Sequence, residues 1–245
     1  MACGSAEVIQ SRVSSAEAVC PRCGAPNEVS LWNILEADLN PERAAALASG
    51  DLLVERCPSC KGPVPLDYPL FYVDRTRKVA AFYPAHRGEK TALETAFVQA
   101  VTRVGGVDLS DLRRREIEMR LVAEPHELVE KVAAWQAGLD DRILELLKVQ
   151  LLEELAASNP DRRLCDATFT NTADEGAKLE FLLFAHPAGD DEAVVPANAG
   201  IALPYEAYRR LARSGAVLAA VDRRYAPTVD AAWARDVLAR LRAGE

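Results

Sequence analysis

Two short motifs, CPRCG at Cys20–Gly24 and CPSCKG at Cys57–Gly62, place four thiols in two matched pairs, and no other feature of the chain restricts its fold as tightly. A Cys-x-x-Cys step lets one turn present both sulfurs to a single ion, and thiolates suit a borderline metal such as zinc. Cys20, Cys23, Cys57 and Cys60 are therefore expected to hold one Zn2+, with iron or an iron–sulfur cluster as the competing occupant. Four sulfurs close a tetrahedral shell and leave no position for a reacting water, so the centre reads as structural rather than catalytic. The spacer of 33 residues between the pairs, Gly24 to Arg56, has room for a small insertion between two knuckles. Pro21 and Pro58 each fix one backbone dihedral of a knuckle turn, and Gly24 supplies the left-handed conformation that lets an amide approach a sulfur. Lys61 stands at the matching position of the second turn. The same conformation there costs about 1 kcal/mol, which its ammonium can offset against the surplus negative charge of four thiolates on a divalent ion.

The rival reading is thiol redox chemistry, because CPxC also describes an active site in which the first thiolate is activated at a helix N-terminus. Gly24-Ala25-Pro26 and Lys61-Gly62-Pro63 break a helix where that chemistry needs one to begin. Cys3 and Cys165 lack a Cys-x-x-Cys partner and read as plain thiols. The first residues carry no basic start followed by an apolar run, and no apolar stretch reaches the roughly 18 residues of a membrane helix, so a cytoplasmic protein without a membrane span is expected. The chain has 245 residues, ample for two domains, and a formal net charge of -8, which counts against a general phosphate-binding surface.

Around the cysteines the pattern is one of short strands. Ala16–Val19 and Glu28–Trp32 flank the first pair as a hairpin, and Asn40, Pro41, Glu42 and Gly50 mark out a short helix over Pro41–Ser49 that fills the spacer. Leu52–Glu55 leads as a strand into Cys57, and Val64–Val73 with Lys78–Tyr83 forms a second hairpin turned at Asp74–Arg77.

The order CPRCG, Leu31–Gly50, CPSCK and then YPLFYVD at Tyr68–Asp74 resembles the CpXC family, called after its paired CPxC motifs. The resemblance covers roughly the stretch to Ala85, with the four family cysteines falling on Cys20, Cys23, Cys57 and Cys60. His126–Lys148 is similar to the helical region that follows in longer members. The resemblance implies a zinc-ribbon-like bacterial domain with no assigned reaction. Lys61 departs from the glycine usual in such a knuckle.

Further on, Thr91–Val104 has helical spacing ended by Gly105-Gly106, and Arg113–Val122 alternates as a strand whose entry, Arg113 to Arg115, reads as solvated. Pro125–Gly138 is helical, Asp140 can cap a next helix, and from Ile143 to Leu155 apolar residues nearly encircle the axis. Such a helix is either the centre of its domain, which we favour, or is covered by a partner, including a second copy of the chain. Leu164–Thr170 and Lys178–Ala185 pair antiparallel with Val194–Ile201 as an edge, and two amphipathic helices follow at Pro204–Arg213 and Val229–Ala243, the latter burying Ala232, Trp233, Val237 and Leu241. The expected fold is α+β: an N-terminal extension (1–15), a zinc-ribbon-like β module with a helical insertion (16–88), a helical connector (89–110) and a mixed α+β domain (111–245).

A search for catalytic constellations yields little. His86, His126 and His186 are dispersed, HExxH, GxSxG, GxxxxGK[ST] and GxGxxG are absent, and Asp140-Asp141 and Asp190-Asp191-Glu192 read as a helix cap and a solvated turn. The expected function is a non-enzymatic zinc protein that engages a protein partner as an interaction, regulatory or scaffold module. A nucleic-acid-binding zinc ribbon and a thiol-redox enzyme are the alternatives.

Overall fold

The computed structural model describes residues 9–85, 116–187, 193–222 and 228–244. The expected helix at Thr91–Val104, the Arg113–Arg115 run, Cys3, His86 and the Asp190–Glu192 turn lie outside them, as does the whole of the expected connector. By contacts the chain divides into two units, Met1–Val129 and Glu130–Glu245. The architecture is mixed α+β, as the alternation of short strands and helical segments implies.

In the first unit β1 (Arg12–Val19) and β2 (Pro26–Glu36) form the expected hairpin around the first cysteine pair. The chain then runs through α1 (Pro41–Ala48), a single 3-10 turn at Asp51–Leu53 and the small hairpin of β3 (Val54–Arg56) and β4 (Pro63–Pro65), which encloses the second pair. Next come β5 (Leu70–Asp74) and β6 (Val79–Tyr83), antiparallel through the turn at Asp74–Arg77. Asp74 secures that turn, accepting from the Arg77 amide at 2.7 Å and from its guanidinium at 2.8 Å. β7 (Glu118–Leu121) completes a five-stranded sheet of order β1-β2-β5-β6-β7. One face of that sheet is an apolar cluster of Ile34, Phe71, Val73, Ala80, Phe82, Met119 and Leu121, the residues that alternation assigns to a single side.

Three expectations for this unit are corrected, the first being that Val64–Val73 is not one strand but divides into β4 and β5, which lie in different sheets. The strand at Arg113–Val122, assigned to the second domain, pairs parallel with β6 in the first sheet. Parallel pairing, here and between β2 and β5, joins segments far apart in sequence, which alternation within one segment cannot foresee. Asn40 sits at the N-cap of α1 but its side chain does not cap the helix. Its amide donates instead to Ser11 Oγ (2.6 Å) and to the Glu36 carbonyl (3.2 Å). Glu36 is fully buried, and its carboxylate accepts from Arg75 Nε and the Leu39 amide, both at 2.7 Å, which satisfies a charge that would otherwise be costly in the interior.

The second unit is built on α3 (Asp141–Ser158), preceded by α2 (Pro125–Gln136), within which the division into units falls. Asp140 caps α3, accepting from the Arg142 amide at 2.9 Å. A three-stranded antiparallel sheet of order β10-β9-β8, from β8 (Leu164–Ala173), β9 (Lys178–Ala185) and β10 (Val195–Pro204), packs with α4 (Tyr205–Ala212), α5 (Gly215–Asp222) and α6 (Ala231–Ala243) around it. α5 has no counterpart among the sequence expectations: only eight residues long and apolar as far as Val221, it offers no amphipathic period to read. On α6 the buried residues are Trp233, Ala234, Val237 and Leu238, whereas Ala232 is exposed and Leu241 only partly covered, a small rotation from the expected face.

The apolar girth of α3 is met within the chain. Ile143, Leu144, Leu146, Leu147, Val149, Leu151 and Leu152 are all buried in one cluster with Phe169, Phe181, Tyr208, Trp233 and Val237. The helix is thus the centre of its unit, and Leu152 is not an outward partner surface. Leu152→Glu is expected to destabilise the protein by several kcal/mol, since an unpaired carboxylate would enter an apolar site. Urea unfolding followed by circular dichroism measures it, and an unchanged midpoint would place Leu152 at the surface.

Candidate metal centre

Each cysteine pair sits at the tip of an antiparallel hairpin, and the two tips repeat one another residue by residue. Val19 pairs with Pro26 across the first and Arg56 with Pro63 across the second, in each case the residue before the first cysteine and the residue three after the second. The Cys20 amide donates to the Ala25 carbonyl and the Gly24 amide to the Cys20 carbonyl, both at 2.9 Å; Cys57 to Gly62 and Lys61 to Cys57 reproduce these bonds at the same length. Gly24 (φ 70°) and Lys61 (φ 59°) both take the left-handed conformation the turn demands. The knuckle symmetry therefore survives the lysine. Lys61→Gly should raise the thermal midpoint of the metal-loaded protein by relieving up to about 1 kcal/mol of backbone strain. A lowered midpoint would mean that the ammonium's attraction to the thiolates outweighs that strain.

The two tips face each other so that all four sulfurs lie within 4.8 Å of one another. Across the pairs Cys20 Sγ and Cys60 Sγ are 3.6 Å apart, as are Cys23 Sγ and Cys57 Sγ. A tetrahedron with metal–sulfur bonds of about 2.3 Å has edges of about 3.8 Å, so the donor set fits one tetracoordinate ion. It does not have the spacing of a disulfide, whose sulfurs are about 2 Å apart. All four cysteines are free thiols. Cys20 and Cys57 are buried, Cys60 is half-buried and Cys23 is exposed at the rim.

The turn amides prepare the sulfurs for metal. The Cys60 amide, opposed by burial and joined by the Ser59 amide, brings Cys57 down to about 6. Burial raises Cys20, but the Arg22 and Cys23 amides outweigh it and hold this thiol below its ordinary value. At Cys23 the Ala25 amide lowers the thiol, while hydrogen bonds with the Cys20 and Cys60 sulfurs and burial push it up to about 12. Four adjacent thiolates would repel one another. A divalent ion removes that repulsion. The Arg22 stem lies against the second knuckle, where a Cβ on Gly62 would meet Arg22 Cδ and Cys60 Sγ at 3.2 Å each. Gly62 thus keeps open the space in which the two knuckles meet.

The other residues singled out from the sequence do not gather into a second metal cluster among the described residues. Cys165 lies on β8, its thiol raised by burial and by Asp166. His186 contacts the Ala193 carbonyl at 3.0 Å through Nδ1, and His126 is in the first turn of α2. Asp140 is occupied as a cap and Asp141 as the partner of Lys131 at 3.1 Å. What the sequence reading missed is a buried ion group in the second unit. Lys148 Nζ donates to Glu130 Oε2 (2.7 Å) and Glu145 Oε2 (3.0 Å), and Glu130 Oε1 accepts from the Phe169 amide at 2.6 Å. The signal was present: Glu145 and Lys148 interrupt the apolar run of α3 at a spacing of three.

No described helix is long and apolar enough to cross a membrane. No curated protein and no solved structure matches the chain. A family model does, described as CpXC protein, over residues 18–148, more than half the chain. The match takes in both stretches that the resemblance marks, the one to Ala85 and the helical region His126–Lys148, and ends at Lys148 within α3. It also spans both cysteine pairs, whose two hairpin tips bring the CPxC sulfurs to one point, and on these grounds the chain belongs to the CpXC family.

Proposed function

We propose that the chain is a non-enzymatic, zinc-stabilised protein-interaction module of a regulatory or scaffolding kind, working in a reducing, cytoplasmic setting. The observation that carries this reading is the convergence of Cys20, Cys23, Cys57 and Cys60 to within 4.8 Å, which fills a tetrahedral shell with protein sulfurs. Zinc is the ion that such an all-thiolate tetrahedron suits best, and when bound it supplies cross-linking rather than chemistry. The chain's own residues supply the rest: the Arg22, Cys23, Ser59 and Cys60 amides stabilise thiolates, and Gly62 lets the knuckles close together. Redox exchange is disfavoured because each turn leads into a strand, β2 or β4, rather than into the helix that activates a redox thiolate. The acidic balance of the chain argues for a protein partner over nucleic acid.

Metal analysis of protein purified without added zinc tests the first half of the reading, with one equivalent expected. Capture from a host lysate with the intact chain and with a Cys20→Ser/Cys57→Ser variant tests the second. A specific partner held by the first and lost by the second is the expected result, and capture of none by either would remove the interaction reading.

A further inference from the structure

β1 is the edge of its sheet among the described residues and pairs only with β2. From Val13 to Val19 that pairing is regular, the single irregularity falling at Arg12/Val13. The Cys20 amide bonds across to Ala25, and Val19 stands opposite Pro26, which has no amide to give. Since an antiparallel ladder alternates, Ser14, Ala16 and Ala18 direct their backbone groups to β2, while Val13, Ser15, Glu17 and Val19 direct theirs to the open side. Of the usual guards of such an edge Val13–Val19 has neither proline nor lysine, and its one charge is Glu17.

The side chains of the same four residues share one face. Val13 and Val19 are 48% and 63% exposed at its two ends. Between them Glu17 lies directly opposite Glu28, both exposed and without an ion pair among the described residues. Like charges directly across a ladder are destabilising, so this face is complementary to a cation. We propose that the β1 edge binds an extended segment of a protein partner by strand addition. That segment carries Lys or Arg opposite Glu17 and apolar β-branched residues opposite Val13 and Val19. Main-chain hydrogen bonds supply affinity in such a complex, and alternate side chains supply selectivity. A second copy of the chain is a poor occupant, because pairing β1 with β1 would gather Glu17 and Glu28 of both copies on one ribbon. This inference rests on the interaction reading and gives it a place and a partner chemistry.

The test uses the metal-loaded full chain and a labelled heptapeptide, Val-Thr-Lys-Thr-Thr-Thr-Val, with a control in which Glu replaces Lys, followed by fluorescence anisotropy. Saturable binding of the Lys peptide is expected, weakened about fivefold in Glu17→Lys, the scale of an exposed ion pair, with the preference between the two peptides reversed. Ser15→Pro removes an outward amide without touching the β2 ladder and should abolish binding while leaving the metal content unchanged. Val19→Lys, at an exposed position, is the second variant should Ser15→Pro fail to fold, and it too should weaken the Lys peptide. No saturable binding, equal binding of both peptides, or indifference to these variants overturns the proposal. So does dimerisation in sedimentation that Ser15→Pro abolishes, which assigns the edge to a second copy. Lysate capture that still requires the cysteines while the peptide fails would reject this edge and leave the interaction reading standing.

Discussion

Removal of the metal, by chelation or by Cys57→Ser, is expected to unfold both hairpin tips together, with hydrogen-exchange protection lost over β1, β2, β3 and β4. Structural thiolate zinc sites contribute about 10–16 kcal/mol of apparent binding energy in small peptides, as much as the whole stability of a typical domain. Little else holds the tips. β3 and β4 have three residues each, and β1 is exposed along most of its length. Cys20 and Cys57 are the buried members of the set, so their loss also strands a site built for sulfur in the interior. The Glu130–Glu245 unit has its own apolar cluster around α3 and should keep its protection. Collapse of α3 and α6 along with the tips would show that the two units fold as one.

Lys148→Met is expected to destabilise the second unit by about 3–5 kcal/mol, the scale of breaking a buried ion pair by removing one partner. Lys148, Glu130 and Glu145 are 5%, 6% and 6% exposed, so the two carboxylates left behind would face each other out of water. Adding Glu145→Gln to Lys148→Met should recover part of the loss, because the surviving charge then stands alone with the Phe169 amide. The group also sets a pH dependence. Burial, opposed by Lys148, raises Glu145 from its ordinary 4.5 to about 6. Its protonated form is thus favoured by folding, a contribution fully present below pH 4.5 and lost as pH rises through about 6. Burial alone would lower Lys148, but Glu130 and Glu145 hold it above its ordinary value of 10.5, so its contribution persists through neutral pH and is lost only in strong alkali. Urea midpoints measured between pH 4 and 7 should show the Glu145 component vanish in Glu145→Gln.

The cysteine cluster was legible in the sequence because a knuckle is a local object. Ligand spacing, Pro21, Pro58 and the left-handed position at Gly24 all act within five residues, and Lys61 adopts the same turn because the ladder on either side of it imposes the register. The two hairpins, the capped start of α3 and its encirclement by apolar residues were legible for the same reason: period and cap are written in neighbouring residues. Partnership between distant segments was not. Alternation marked Arg113–Val122 as a strand but could not say that it joins β6, nor that β2 and β5 run side by side to make one sheet of two hairpins. Nor could it tell that Glu36, Glu130, Glu145 and Lys148 lie inside, since a charged residue on a helix or strand is ordinarily at the surface and only long-range packing shows which are enclosed and what satisfies them. The place of β1 at the sheet edge among the described residues has the same origin. The spacing of the four cysteines and the turns that carry them were written in the sequence, because those depend on bonds a few residues apart. Tertiary structure alone decided which strands meet, which charges are buried and which described strand lies at a sheet edge, because those depend on contacts whose partners are separated by tens of residues.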